Sequence, residues 1–200
     1  MRHFLLAIVA LFLTSQTGCN GASASGSPEA TLETMKSAAM KKDWRAMAEC
    51  YTEPSKDLML FGLAISIDTS ELVADDKQQP AFKEAKAILA KHHVKSLDDR
   101  ASDGGRIKPA ELSADVKDKA ACIAELMNWY DKNGSSEQKT MQMSPAEYGT
   151  AKLEGVKIEG DQATGTVTST FNGKEDSQPM SFKKVNGKWY FDLVGNKHKP

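Results

Sequence analysis

Two hydrophobic periods divide this chain. From Pro28 to about Tyr130, apolar residues return every three or four positions, the spacing of one helix face. After Ser144 they return every second position, the spacing of a strand with one buried side. The helical half opens with Ser27 as a cap, Pro28 at the first helical position and Glu29 in the first turn. Leu32, Met35 and Ala39 share a face there. Asp43 is placed to cap a second helix, with Trp44, Met47 and Tyr51 on one side. Pro54 starts a third, read with Leu58, Phe61 and Ile65 as its inward stripe, and Pro80 a fourth with Phe82, Ala85 and Leu89 inward. From Pro109 one further helix is expected to reach Asn133-Gly134, with Val116, Ala120, Ile123, Met127 and Tyr130 on its apolar side. In the second half Gly155 suggests a bulge. Gly160-Asp161, Asn172-Gly173 and Asn186-Gly187 supply three tight turns. Short turns joining four strands predict an antiparallel meander. The expected class is therefore α+β, N-terminal helices packed on a C-terminal four-stranded antiparallel meander. Val167, Phe182, Trp189 and Phe191 should face the helices, and Thr164, Thr166, Thr168 and Thr170 should face away.

The first residues obey neither period. Met1-Arg2-His3 is basic, and Phe4–Leu13 is unbroken apolar sequence ending in TSQTGC. A membrane-spanning helix needs about 20 apolar residues, whereas a signal-peptide core needs roughly 7–15. Residues 1–18 are read as a secretory signal peptide. The end resembles the lipobox of bacterial lipoproteins through Thr17, Gly18 and Cys19, with Gln16 where that family usually has Leu. The resemblance implies cleavage before Cys19 and acylation of its thiol and amino group, with chains such as palmitate, enough for stable anchoring. An ordinary signal peptide cut near Ala22 or Ala24 is the alternative. Asn20 replaces the Asp that retains such proteins at the inner membrane, which favours the outer-membrane, periplasmic side. Residues 19–27, rich in Gly and Ser, form a flexible tether, and 28–196 a single domain.

Charge and cysteine content sharpen this picture. A net charge of −1 gives no field to draw nucleic acid. With Cys19 lipidated, Cys50 and Cys122 remain. They are read either as a disulfide, stabilising by about 4 kcal/mol in the chain-entropy model, or as two buried free thiols.

Ser27–Tyr51 and Val156–Leu193, ending in NGKWYFDL, together resemble the opening helices and closing strands of the cone-shaped fold shared by nuclear transport factor 2, ketosteroid isomerase and scytalone dehydratase. Small bacterial lipoproteins carry a similar domain. The resemblance implies a pocket between sheet and helices. It also marks residues 54–141 as a helical insertion and 152–194 as the meander. In the enzymes of that group the pocket holds an acid/base pair, such as Asp with Tyr or His. Candidates in this chain are few. Asp192 lies opposite the face of Trp189, Phe191 and Leu193 and reads as a solvated strand residue. Tyr51 and Tyr130 lie on apolar helix faces and read as core. His92 and His93 are adjacent, so they point about 100° apart on a helix and do not form a metal-binding pair. His198 lies near the C-terminus. Residues 99–112 end like a calcium loop at Glu111, but Arg100 and Gly104 fall where oxygen donors are required, so no metal and no cofactor are assigned.

The reading is a lipid-anchored, extracytoplasmic envelope domain, non-enzymatic, that binds a small hydrophobic ligand or an envelope protein. The alternative is an isomerase- or hydrolase-like enzyme using the cone pocket. The threonine face lacks the aromatic anchors that carry binding energy, so a monomer is favoured.

Overall fold

The computed structural model describes residues 26–96, 108–134, 145–171 and 173–195. Among these residues seven helices precede a four-stranded antiparallel sheet, an α+β arrangement. The helices are α1 (Pro28–Met40), α2 (Trp44–Glu49), α3 (Glu53–Glu71), α4 (Gln79–Lys91), α5 (Pro109–Leu112), α6 (Lys119–Asn133) and α7 (Pro145–Thr150). The strands are β1 (Lys152–Glu159), β2 (Gln162–Phe171), β3 (Lys174–Val185) and β4 (Lys188–Phe191), in that spatial order.

Local chemistry sets the helix starts. The Ser27 hydroxyl accepts from Ala30 N at 3.2 Å, and the Asp43 carboxylate accepts from Ala46 N at 3.0 Å. Each satisfies an amide that the helix itself leaves without a partner. The long helix expected from Pro109 is interrupted. Ser113 turns inward as α5 ends, and Asp118 caps a new start by accepting from Ala121 N at 2.9 Å. The inward stripe of α3 is also different from the expected one. Asp57, Leu60, Ala64 and Ile67 are buried, while Leu58 and Ile65 are 38% and 36% exposed. Apolar residues occur all around this helix, so period alone does not pick the face. Packing does, and it places Asp57 inside.

The meander has the expected connections. Asn186 and Gly187 take φ of 50° and 80°, the left-handed pair that a two-residue hairpin turn requires. Asn172, in the expected turn before β3, lies outside the described residues. Between Glu154 and Lys157 the β1–β2 register shifts, and Gly155 has φ 62°, so the bulge sits at Gly155–Val156. β4 is shorter than the sequence suggests and ends at Phe191.

Two apolar clusters result. Phe182, Trp189 and Phe191 of the sheet meet Leu32, Met35 and Trp44 of α1 and α2. Leu60, Phe82, Ile123 and Trp129 centre a second, all-helical cluster. Met59 and Met127 touch both. Thr164 and Thr166 are exposed and Thr168 and Thr170 half-buried, on the face away from the helices.

Candidate functional site

A groove is created where the chain leaves α2 and grips the edge of β4. Phe191 N donates to the Cys50 carbonyl at 2.8 Å, and Thr52 N donates to the Phe191 carbonyl at 2.9 Å. Tyr51 thus forms a one-residue parallel bridge to Phe191, and α3 starts directly afterwards. On β4, Trp189 and Phe191 are turned into the core, so Tyr190 and the following Asp192 point the other way. They meet Lys183 and Val185 from β3, Val194 beyond β4, and Thr52, Pro54 and Lys56 at the start of α3. The groove is open to solvent, mostly apolar, and about 590 Å³ in volume. That is the size of a small-molecule site.

Its polar atoms are largely committed. Thr52 Oγ1 lies 2.6 Å from Ser55 Oγ and donates to Asp192 Oδ1 at 3.4 Å. The Asp192 carboxylate also accepts from Val194 N at 3.3 Å, and Ser55 Oγ accepts from Leu193 N at 2.9 Å. Asp192 therefore pins the chain after β4; it is not a simply solvated strand residue. Lys56 is paired with Glu53 at 2.7 Å. No histidine lines the groove. Its walls are mostly apolar, and Glu49, Tyr51, Glu53, Lys183 and Tyr190 add polar groups to the lining.

Among the described residues, side chains of α1, α2 and the sheet pack the space between sheet and helices. Tyr51 fills part of it, with its hydroxyl 3.4 Å from Met35 Sδ and its ring centroid 5.6 Å from that of Phe191. Burial raises the Tyr51 phenol well above its ordinary value. Tyr130 packs edge-on against Trp129 in the helical cluster, and burial raises its phenol too. Among the described residues, the Tyr51 hydroxyl meets Met35 Sδ, and neither phenol is hydrogen-bonded to a carboxylate or imidazole.

The other candidates are dispersed. Cys50 and Cys122 are free thiols, each fully buried in a different cluster. Burial pushes both up to about 12, far from the thiolate that reaction requires. His92 ends α4 with Nε2 3.1 Å from Glu125 Oε1, while His93 is exposed with φ 59°. Lys91, then burial opposing it, then His92 set the Glu125 carboxyl, which lies below its usual range. Asp118 is held low first by the Ala121 amide and then by Arg45, 2.7 Å away. Of the calcium-like segment 99–112, residues 99–107 lie outside the described residues, as do Cys19 and His198, and Glu111 is exposed on α5. Among the described residues, no group of three His, Cys, Asp or Glu could hold a metal ion. No described helix is long and apolar enough to cross a membrane.

One polar cluster carried no signal in the periodicity. Lys119 Nζ lies 2.6 Å from Asp57 Oδ1, and the buried Ser113 hydroxyl donates to the same oxygen. It ties α3, α5 and α6 together. The groove was likewise missed, although the alternation of KWYFD already separates Tyr190 and Asp192 from Trp189 and Phe191. Comparison of the chain with family models, curated proteins and solved structures finds no match in any of the three.

Proposed function

We propose that the chain is a lipid-anchored, extracytoplasmic envelope protein whose domain binds a small hydrophobic ligand in the groove beside β4, without catalysis. The observation that carries the binding reading is the contrast between two places. The interior between sheet and helices is filled by Leu32, Met35, Trp44, Phe182, Trp189 and Phe191, while the β4 groove is open and apolar. An enzyme of the resembled group needs a buried, polar-lined cavity with an acid or base in it. We also propose the cone-shaped nuclear transport factor 2-like architecture, with α3 to α6 as its insertion. The α1–α2 pair across the sheet's inner face supports it.

Two measurements on the full chain test this reading. For anchoring, Cys19→Ala should move the protein from the detergent-extracted to the soluble fraction, and intact mass should show an acylated Cys19 at the N-terminus of the unaltered protein. A terminus at Ser23 or Ser25 refutes the anchor. For binding, an anilinonaphthalene sulfonate dye should fluoresce with saturable, one-site behaviour, lost in Val185→Arg. Val185 is 41% exposed on the groove wall, so the substitution blocks the site without entering the core. Saturable binding that survives Val185→Arg, or no saturation, refutes the groove.

A further inference from the structure

The free edge of the sheet carries a sequence that complements itself. β4 is covered by the Cys50–Thr52 segment, but β1, at the other end, has no backbone partner besides β2 among the described residues. An open edge offers a row of unpaired N–H and C=O groups to another strand. Here that edge reads Lys152-Leu153-Glu154-Gly155-Val156-Lys157-Ile158-Glu159.

We infer that β1 pairs antiparallel with β1 of a second copy of this chain, about a two-fold axis normal to the sheet at Gly155–Val156. In that register Lys152 faces Glu159 of the other copy, Leu153 faces Ile158, and Glu154 faces Lys157. The symmetry repeats each contact, as a two-fold interface demands. Four opposite-charge pairs and two apolar pairs then cross one seam, the units that stabilise a sheet.

The bulge makes this arrangement coherent. In an unbroken strand, Lys152 and Glu159 would point to opposite faces, because side chains alternate. The extra residue at Gly155–Val156 restores the phase. Lys152, Glu154, Lys157 and Glu159 oppose Thr168, Thr166, Thr164 and Gln162 on the outer face. Leu153 and Ile158 oppose Val167 and Ala163 on the inner one. Ile158 is 56% exposed in the single chain, beyond the cover of the helices.

The charges also select the register. Sliding the partner by two residues one way sets Lys152 against Lys157; sliding it the other way sets Glu154 against Glu159. Both bring like charges together, which is unfavourable. Sliding by one residue sets the charged face of one copy against the apolar face of the other. Charged edge residues commonly keep strands apart; here like charges or mismatched faces disfavour each neighbouring register but the one proposed. The partner is thus a second copy, joined through the edge. The threonine face, on which the monomer expectation rested, stays in water.

The test is sedimentation of the full chain in detergent from about 1 to 100 μM, the range in which a micromolar Kd is read. Glu154 and Lys157 are both exposed, so reversing them leaves the core intact. The unaltered chain should dimerise, and Glu154→Lys or Lys157→Glu alone should each weaken the dimer at least tenfold. Mixing those two variants should restore it, because each then meets its complement. In membranes, Glu154→Cys chains mixed with Lys157→Cys chains should give a disulfide-linked dimer that neither gives alone. A chain that stays monomeric, or a dimer that ignores both reversals, overturns the inference.

Discussion

Replacing Lys119 by Met isolates what the buried polar cluster does. Lys119 Nζ stands 2.6 Å from Asp57 Oδ1 and 3.8 Å from Glu53, with side chains of Lys119 and Asp57 only 18% and 10% exposed. At an effective dielectric near 20, two unit charges at that distance attract by about 6 kcal/mol. Desolvation opposes this by several kcal/mol per ion, so the pair as a whole nets little. Losing one partner is different, since a buried carboxylate then stands without its cation at a cost of about 3–5 kcal/mol. Asp57 keeps the Ser113 hydroxyl and slight water contact, which lowers the expected loss to about 2–3 kcal/mol for Lys119→Met. In Asp57→Leu/Lys119→Met both charges leave together, and Ser113 still donates to the Pro109 carbonyl at 3.1 Å. The double variant should therefore lie within about 1 kcal/mol of the unaltered chain. Urea unfolding of all four proteins closes a double-mutant cycle, with an expected coupling of about 2 kcal/mol. A double variant as unstable as the sum of the singles would falsify the argument, because it would mean that water already screens the pair.

Other consequences are simpler. Trp189→Ala removes a side chain 3% exposed that is packed among α1, α2 and the sheet, and should cost about 3–5 kcal/mol in urea unfolding; a loss under about 1 kcal/mol would mean the sheet-side cluster is loosely packed. Cys50 and Cys122 should make the fold sensitive to alkali. Their thiols ionise at about 12 when folded, against an ordinary 9.0, so the folded state favours the protonated form. That contribution is fully present below pH about 9 and is lost as pH rises from there through about 12. The urea midpoint should fall over that window, less steeply in Cys50→Ala/Cys122→Ala; identical slopes refute it.

What could be read from the sequence was local. Ser27 and Asp43 act on amides three residues away, so their caps need no tertiary knowledge. Asn186-Gly187 fixes a hairpin by its own left-handed backbone, and the two-residue period of β2 separates Val167 from its threonines. What failed depended on distant partners. The face of α3 shifts to Asp57, Leu60 and Ile67 because Lys119 and Ser113 arrive from another part of the chain to satisfy Asp57. The break before α6 has the same origin, since Ser113 serves Asp57 rather than a continuing helix.

The groove and the open edge follow from a single long-range event that no local pattern announces. Cys50 and Thr52 hydrogen-bond the backbone of Phe191, so the chain's first half seals one side of a sheet built by its second half. Sealing β4 in this way places the start of α3 beside Lys183, Val185 and Tyr190, which makes the groove. It also decides which edge is left. A four-stranded meander has two edges, and with Phe191 of β4 bridged by Tyr51 the open one is β1, whose bulge and alternating charges restrict what can pair with it. On the two proposals above, weakening the Phe191 contact should therefore reduce dye binding at the groove while leaving the β1-mediated dimer seen in sedimentation intact. The two surfaces lie on opposite sides of the sheet's strand order, and β2 and β3 hold β1 in place without β4's help.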